Sequence, residues 1–250
     1  AEPPIVAKAL EKLQGIQREV GCRLLISVGG WNRSAHFPEL CKEDEGRKRF
    51  VEEMATYCKS NGFSGIDYDW EHPKDEGELR LYRTLIADTR ERFRRDDLQV
   101  TVAQASWQDL GKAVYDLVDR VHLMSYDHEF PQATMGKSLA DVERLRGWGC
   151  PAGKIALGIP FYGRNAKREA RSYGDLVTEA DFDPTKDEVN GFAYNGRTTI
   201  AAKTDHVLKQ GLAGIMIWEV GQDAGRGGES LLRSIVARVE AADAPRNESE

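Results

Sequence analysis

In the stretch GFSGIDYDWEHP, Gly62 to Pro73, three acids fall at every second position: Asp67, Asp69 and Glu71. Their neighbours Phe63, Ile66, Tyr68 and Trp70 are apolar or aromatic and favour a strand. In a strand, alternate side chains share a face, so the three carboxyls would stand side by side. Like charges that close repel, and desolvation adds to the cost. A sequence selected only for stability would place Val or Ile there. Crowding raises the pKa of at least one member, which suits proton transfer near neutral pH. A solvated strand face would carry the same pattern with no chemistry, so the surrounding sequence has to decide.

The elements around this stretch repeat a strand-then-helix rhythm. Apolar runs occur at Arg23–Gly30, Gly62–Trp70, Leu98–Ser106, Arg120–Tyr126, Lys154–Gly163 and Leu212–Val220. Between them lie periodic polar segments that predict helices. One carries Phe50, Met54, Tyr57 and Cys58 on a stripe, and another carries Leu81, Leu85, Ile86 and Phe93. Further helices are predicted in SLADVERLRGWG, TTIAAKTDHVLKQG and ESLLRSIVARVEAA, and the opening EPPIVAKALEKLQGIQREVG also reads as a helix. This alternation predicts βαβ units and a parallel sheet, and in series a (β/α)8 TIM-type barrel, an α/β fold. The visible strands number six, so the expectation is strands three to eight of such a barrel, with the first two absent from the chain. Residues 1–243 are expected to form this one domain, and 244–250 a polar tail. The segment Arg164–Arg197 is an excursion whose VNGFAYNGR predicts a small hairpin.

Barrel chemistry sits at the C-terminal ends of strands. Here those ends read Ser27-Val-Gly-Gly-Trp31, Asp69-Trp-Glu71, Tyr126-Asp127-His128, Tyr162-Gly-Arg164 and Trp218-Glu219. Aromatic and ionisable residues at five strand ends point to one pocket.

Bulk properties narrow the classes. The chain has 250 residues, 40% hydrophobic and 30% charged, as ordinary globular proteins do. A net charge of −6 with interspersed signs argues against a nucleic-acid surface, and no apolar run is long enough to span a membrane. Cys22, Cys41, Cys58 and Cys150 lack metal-site spacing. They read as buried free thiols or as one bridge with two thiols. No signal peptide is visible, and the sequons at Asn32 and Asn247 carry little weight.

Taken together, the motifs resemble glycoside hydrolase family 18, the chitinase family. Its DxxDxDxE motif followed by an aromatic and Pro is matched by Ser64-x-x-Asp67-x-Asp69-x-Glu71-His72-Pro73. Its SxGG is matched by Ser27-Val-Gly29-Gly30, its Met-x-Tyr-Asp by Met124-Ser-Tyr126-Asp127, its Tyr-x-Arg by Tyr162-Gly-Arg164, and its last-strand Trp by Trp218. The motifs come in order and cover about Gly21 to Ala242. The chain departs from the family at Ser64, where an Asp is usual, and lacks the small inserted α+β domain of some members.

The resemblance implies a retaining, substrate-assisted glycosidase acting on chitin or N-acetylglucosamine oligosaccharides. It makes Glu71 the general acid and then the base, and Asp69 the group that orients the acetamido. Asp67 shares a proton with Asp69, and Tyr126 donates to the acetamido oxygen. Asp127, Met124, Tyr162, Arg164, Trp31 and Trp218 line the sugar site. It implies no cofactor and no metal, and no nucleic-acid or membrane partner; oligomeric state stays open. A polymeric substrate favours a secreted or periplasmic location.

Other readings stand beside these. Trp218 also reads as barrel core, Arg164 as a structural partner for a carboxylate, Tyr126 as a donor to backbone and Met124 as filler. Trp31 fits subsite or rim, and Ser27, Gly29 and Gly30 fit a close backbone approach. At the level of function, a lectin on the same barrel and an endo-acting enzyme on glycans or peptidoglycan share these motifs. A divalent-metal hydrolase using Asp67, Asp69, Glu71, Asp127 and His128 is a third class.

Overall fold

The strand-helix rhythm of the sequence is realised in a computed structural model that describes residue 5 and residues 7–225 and 228–244. The expected polar tail after residue 244, with its sequon at Asn247, lies outside the described residues. No described helix is long and apolar enough to cross a membrane. The chain groups into two compact units that divide after Val121.

The first unit begins with α1 (Ala7–Val20) and β1 (Leu25–Gly29). Then follow α2 (Phe37–Lys42), α3 (Asp44–Asn61) and β2 (Gly65–Asp69). It continues through α4 (Glu76–Phe93), β3 (Gln99–Ala105) and α5 (Lys112–Leu117). The strands pair in parallel in the order β1-β2-β3. Ser27 stands opposite Asp67 on one side, and Asp67 opposite Thr101 on the other. Ile66, Val100 and Val102 of these strands are wholly buried, as are Leu85, Ile86 and Phe93 of α4. Each such side chain removed from water contributes about 1.5–3 kcal/mol. α4 starts where Asp75 accepts the Glu78 N–H at 2.9 Å and Glu78 accepts the Lys74 N–H at 2.8 Å. This reciprocal cap satisfies two backbone donors, the Asp75 part being worth ~1 kcal/mol.

The helix periodicity was legible, but its phase shifts by a residue. α3 buries Arg47, Val51, Ala55 and Cys58, with Phe50, Met54 and Tyr57 only half-buried or exposed. Arg47 takes a core-facing place because its guanidinium reaches Asp44, Asp88 and the Cys41 carbonyl.

The second unit opens within β4 (Arg120–Met124), which starts in the first, and runs through α6 (Met135–Gly147) and β5 (Ile155–Pro160). Its excursion holds β6 (Tyr162–Arg164), β7 (Ala170–Ser172), α7 (Tyr173–Leu176), β8 (Glu188–Val189) and β9 (Phe192–Ala193). Then come α8 (Arg197–Lys209), β10 (Gly214–Trp218) and α9 (Leu231–Asp243). The order β4-β5-β10 belongs to a sheet, with β10 parallel to β5. A second, antiparallel sheet has the order β7-β6-β9-β8. The expected hairpin is β8-β9, turning at Asn190 and Gly191.

The run Lys154–Gly163, expected as one strand, divides in two. Pro160 stands opposite Trp218 and the Phe161 N–H still donates to the Trp218 carbonyl at 2.8 Å; Tyr162 and Arg164 then turn into the antiparallel sheet against β7 and β9. The core here gathers Ile159, Phe161, Tyr173, Leu176, Tyr194, Ile200 and Leu231.

Lys203 of α8 is fully buried, and its Nζ donates to the Ala133 carbonyl and to Asn195 Oδ1, both at 2.7 Å. Burial pulls the amine down to about 7, against Asp187 and Asp141. A neutral amine has two N–H groups, which match these two acceptors. The bond fixes Ala133 in the loop that follows β4. All four cysteines are free; Cys41, Cys58 and Cys150 are buried, whereas Cys22 is exposed.

Candidate active site

In the first unit the three acids lie at the C-terminal end of β2. The strand's other face packs Tyr68 and Trp70 into an aromatic cluster. Trp70 stacks on Phe37 at 4.9 Å, and Tyr82 packs edge-on against both Tyr68 and Trp70. On the acidic face Asp67 and Glu71 are half-buried and Asp69 is buried, so that face is not a fully solvated one. Asp69 is only 7% exposed. Its Oδ1 is buried without a hydrogen-bond partner among the described residues. Burial, then the charges of Glu71 and Asp67, push its carboxyl up to about 7.

Asp67 is held by Thr101, whose hydroxyl donates to Oδ1 at 2.5 Å from the neighbouring strand. Glu71 stands beyond the strand end, its side chain 13% exposed. Its backbone N–H donates to Ser34 Oγ at 3.0 Å, and that hydroxyl lies 3.1 Å from the Asp69 carbonyl. His72 Nε2 lies 3.7 Å from Glu71 Oε2. Burial lowers the His72 pKa, so the ring is neutral at pH 7.

The glycines after β1 explain how the two strand ends meet. Gly29 has φ +108, and a Cβ there would fall 2.1 Å from the Asp69 carbonyl oxygen. The Gly30 N–H donates to that same oxygen at 2.7 Å. Trp31, directly after, is 72% exposed.

In the second unit, the end of β4 presents Met124, Tyr126 and Asp127. Tyr126 fits because β5 has Gly158 beside it; a Cβ there would lie 3.0 Å from the Tyr126 ring and 2.2 Å from the Leu123 carbonyl oxygen. The Tyr126 hydroxyl reaches Met216 Sδ at 3.9 Å. Asp127 accepts the Tyr162 hydroxyl at 2.7 Å on Oδ1 and is forked by Arg164 through Nε and Nη2. The Arg164 guanidinium also lies over the Tyr162 ring, 5.4 Å from its centre. Both Asp127 oxygens are thus engaged, and Arg164 is a structural partner of that carboxylate.

His128 turns away from this group. It accepts the Ala133 N–H on Nδ1, so its proton sits on Nε2 and is donated to Asp141 at 2.8 Å. With both ring nitrogens engaged in protein hydrogen bonds, it is not poised to ligate a metal.

Trp218 ends β10, the last strand of its sheet, and is 47% exposed. Trp218→Ala is therefore expected to weaken binding of an N-acetylglucosamine oligomer while shifting the melting temperature little. A fully buried Trp would cost about 3–5 kcal/mol on truncation. Calorimetric titration beside a thermal melt separates the outcomes, and an early melt with normal sugar binding would assign Trp218 to the core.

Several residues that hold these groups carried no sequence signal. Ser34 was visible only as the third residue of a sequon. Thr101 looked like an ordinary strand residue, and its pairing with Asp67 depends on strand register. Trp107, 62% exposed just after β3, stood outside every motif.

The comparisons bear on this arrangement. The family model for glycosyl hydrolases family 18 matches residues 5–223. A probable chitinase 2 of Drosophila melanogaster is 24% identical, over 85% of this chain and 59% of its own length. The chain thus spans about three fifths of that relative. The crystal structure of a chitinase from Bacteroides thetaiotaomicron superposes with a TM-score of 0.89 at 20% identity, covering 100% of this chain and 86% of that one. A chitinase-like agglutinin from Robinia pseudoacacia gives 0.81 at 22% identity, covering 94% and 87%. At these identities the structural likenesses establish the fold.

Proposed function

The chain belongs to glycosyl hydrolases family 18, and from that premise we propose that it cleaves β-1,4-linked N-acetylglucosamine polymers with retention, by substrate-assisted catalysis. The observation that carries this reading is the buried carboxyl cluster at the end of β2, with Asp69 pushed up to about 7 between Asp67 and Glu71.

Glu71 gives its proton to the glycosidic oxygen as the C1–O bond breaks. The acetamido oxygen of the same sugar attacks C1, so that no enzyme carboxylate forms a covalent bond. Asp69, protonated near neutral pH, holds one proton within the cluster and offers its other oxygen to the acetamido N–H. Asp67, steadied by Thr101, is the neighbour with which that proton is shared. Glu71, now ionised, then takes a proton from water; the water oxygen bonds to C1 as the acetamido oxygen leaves it, and the sugar is released with its original stereochemistry. Within the second unit, Tyr126 presents a hydroxyl and Trp218 a flat apolar face, the groups that family membership would assign to sugar binding. A polymeric substrate favours a secreted or periplasmic location.

The test is release of chromophore from a nitrophenyl chitobioside or chitotrioside. Turnover is expected there and not with the corresponding cellobioside, which lacks the acetamido nucleophile. Efficient cleavage of the cellobioside would require an enzyme-borne nucleophile and overturn the mechanism. Tight binding of chito-oligomers with no cleavage of either glycoside would make the chain a lectin.

A further inference from the structure

Trp107 is a large apolar side chain left 62% exposed, yet its backbone is not loose. It sits in the turn directly after β3, between Ser106 and Gln108, both buried. The Gln108 side chain donates to the Pro73 carbonyl at 2.9 Å, so the turn is tied to the segment that follows Glu71. From β3, Gln104 donates to the Gln108 carbonyl at 2.6 Å. The Tyr115 hydroxyl, 3.2 Å from Gln104, bonds Asp109 at 2.9 Å just beyond. An exposed indole is thus held on a turn fixed by buried hydrogen bonds.

The Trp107 ring packs at 67° to His72, with centres 5.0 Å apart. His72 is the residue after Glu71, and its Nε2 is 3.7 Å from the Glu71 carboxylate. Its Nδ1 is buried and has no hydrogen-bond partner among the described residues. The ring thus touches the indole on one side and brings Nε2 near the Glu71 carboxyl. A flat apolar surface with a polar group at its edge matches the two faces of a pyranose: axial C–H bonds over the indole, hydroxyls at the rim. Because the turn is already ordered, binding there loses little conformational freedom.

We propose that Trp107, with His72 at its edge, is a sugar-binding platform that takes a further N-acetylglucosamine ring of the same polymer beside the ring acted on at Glu71. This rests on the glycosidase reading above. It gives the enzyme a preference for longer chains, because a short substrate leaves the platform empty.

Initial rates on N-acetylglucosamine oligomers from dimer to hexamer, for the wild type, Trp107→Ala and Trp107→Phe, test it. In the wild type kcat/KM is expected to climb with chain length. In Trp107→Ala the longest oligomers should lose about tenfold more than the shortest, chiefly through KM, as expected for one aromatic contact. Trp107→Phe should recover part of that loss, and should carry the comparison if the alanine variant does not fold. A structural defect alone would lower the rates at every length by the same factor. Identical length dependence in the wild type and the folded variants would overturn the platform while leaving the glycosidase reading in place. A wild type that neither cleaves nor binds any oligomer would overturn both.

Discussion

Glu71→Gln is expected to lower turnover of an unactivated chito-oligosaccharide by about 10²–10⁴-fold, the contribution of a positioned general acid. The amide has nearly the shape of the acid but no proton to give. The Glu71 charge helps to raise the Asp69 pKa, so the amide eases that carboxyl back toward its ordinary value. The backbone is fixed by the bond from its N–H to Ser34 Oγ, and the neighbouring His72 is neutral at pH 7. Oligomer affinity, measured by calorimetry, should therefore stay close to that of the wild type. The loss should be smaller on a nitrophenyl glycoside, whose leaving group needs little protonation. A near wild-type rate on the unactivated oligomer would remove Glu71 from the acid role.

Asp69→Asn should change how stability depends on pH. The wild-type carboxyl is raised to about 7 from 3.8 by burial and by its two acidic neighbours. Between those values the folded state holds the proton that the unfolded chain releases. The stability linked to that proton is fully present below pH 3.8 and is lost as pH rises through 7. The asparagine cannot ionise, so the variant avoids this loss. Relative to the wild type it should gain up to about 4 kcal/mol on going from pH 4 to pH 8. Thermal melts at the two pH values measure the difference, and parallel pH profiles would mean that Asp69 is ionised in the folded protein at neutral pH. Activity should fall in the same variant, an expected trade of function for stability at a strained site.

The parts of this molecule that repeat were legible from its sequence. Apolar runs such as Arg23–Gly30 and Gly62–Trp70, and glycine after the helical runs, placed the parallel strands and the longer helices. The acids at the end of β2 stood out because they broke an apolar pattern. What failed to show depends on contacts distant in sequence. Thr101 meets Asp67 only because β3 pairs with β2 in one register. Gln108 ties its turn to Pro73 across 35 residues. The division of the run after Pro160 is invisible to periodicity, since Tyr162 and Arg164 continue the apolar and aromatic pattern in a different sheet. The stripe at Phe50, Met54, Tyr57 and Cys58 is out of phase because Arg47 takes a core place, which a charged residue does only where partners meet it.

The distribution of thiols makes the molecule its own stopwatch. Cys41 and Cys58 lie in the first unit and Cys150 in the second, all buried. Burial raises their pKa values to about 12, 11 and 12. A thiol in that state holds almost no thiolate and reacts with an alkylating reagent only when its surroundings open. Cys22, exposed, reacts at once and supplies the time zero. Mass spectrometry of a labelling time course then dates the opening of each unit separately, in one sample and without an introduced probe.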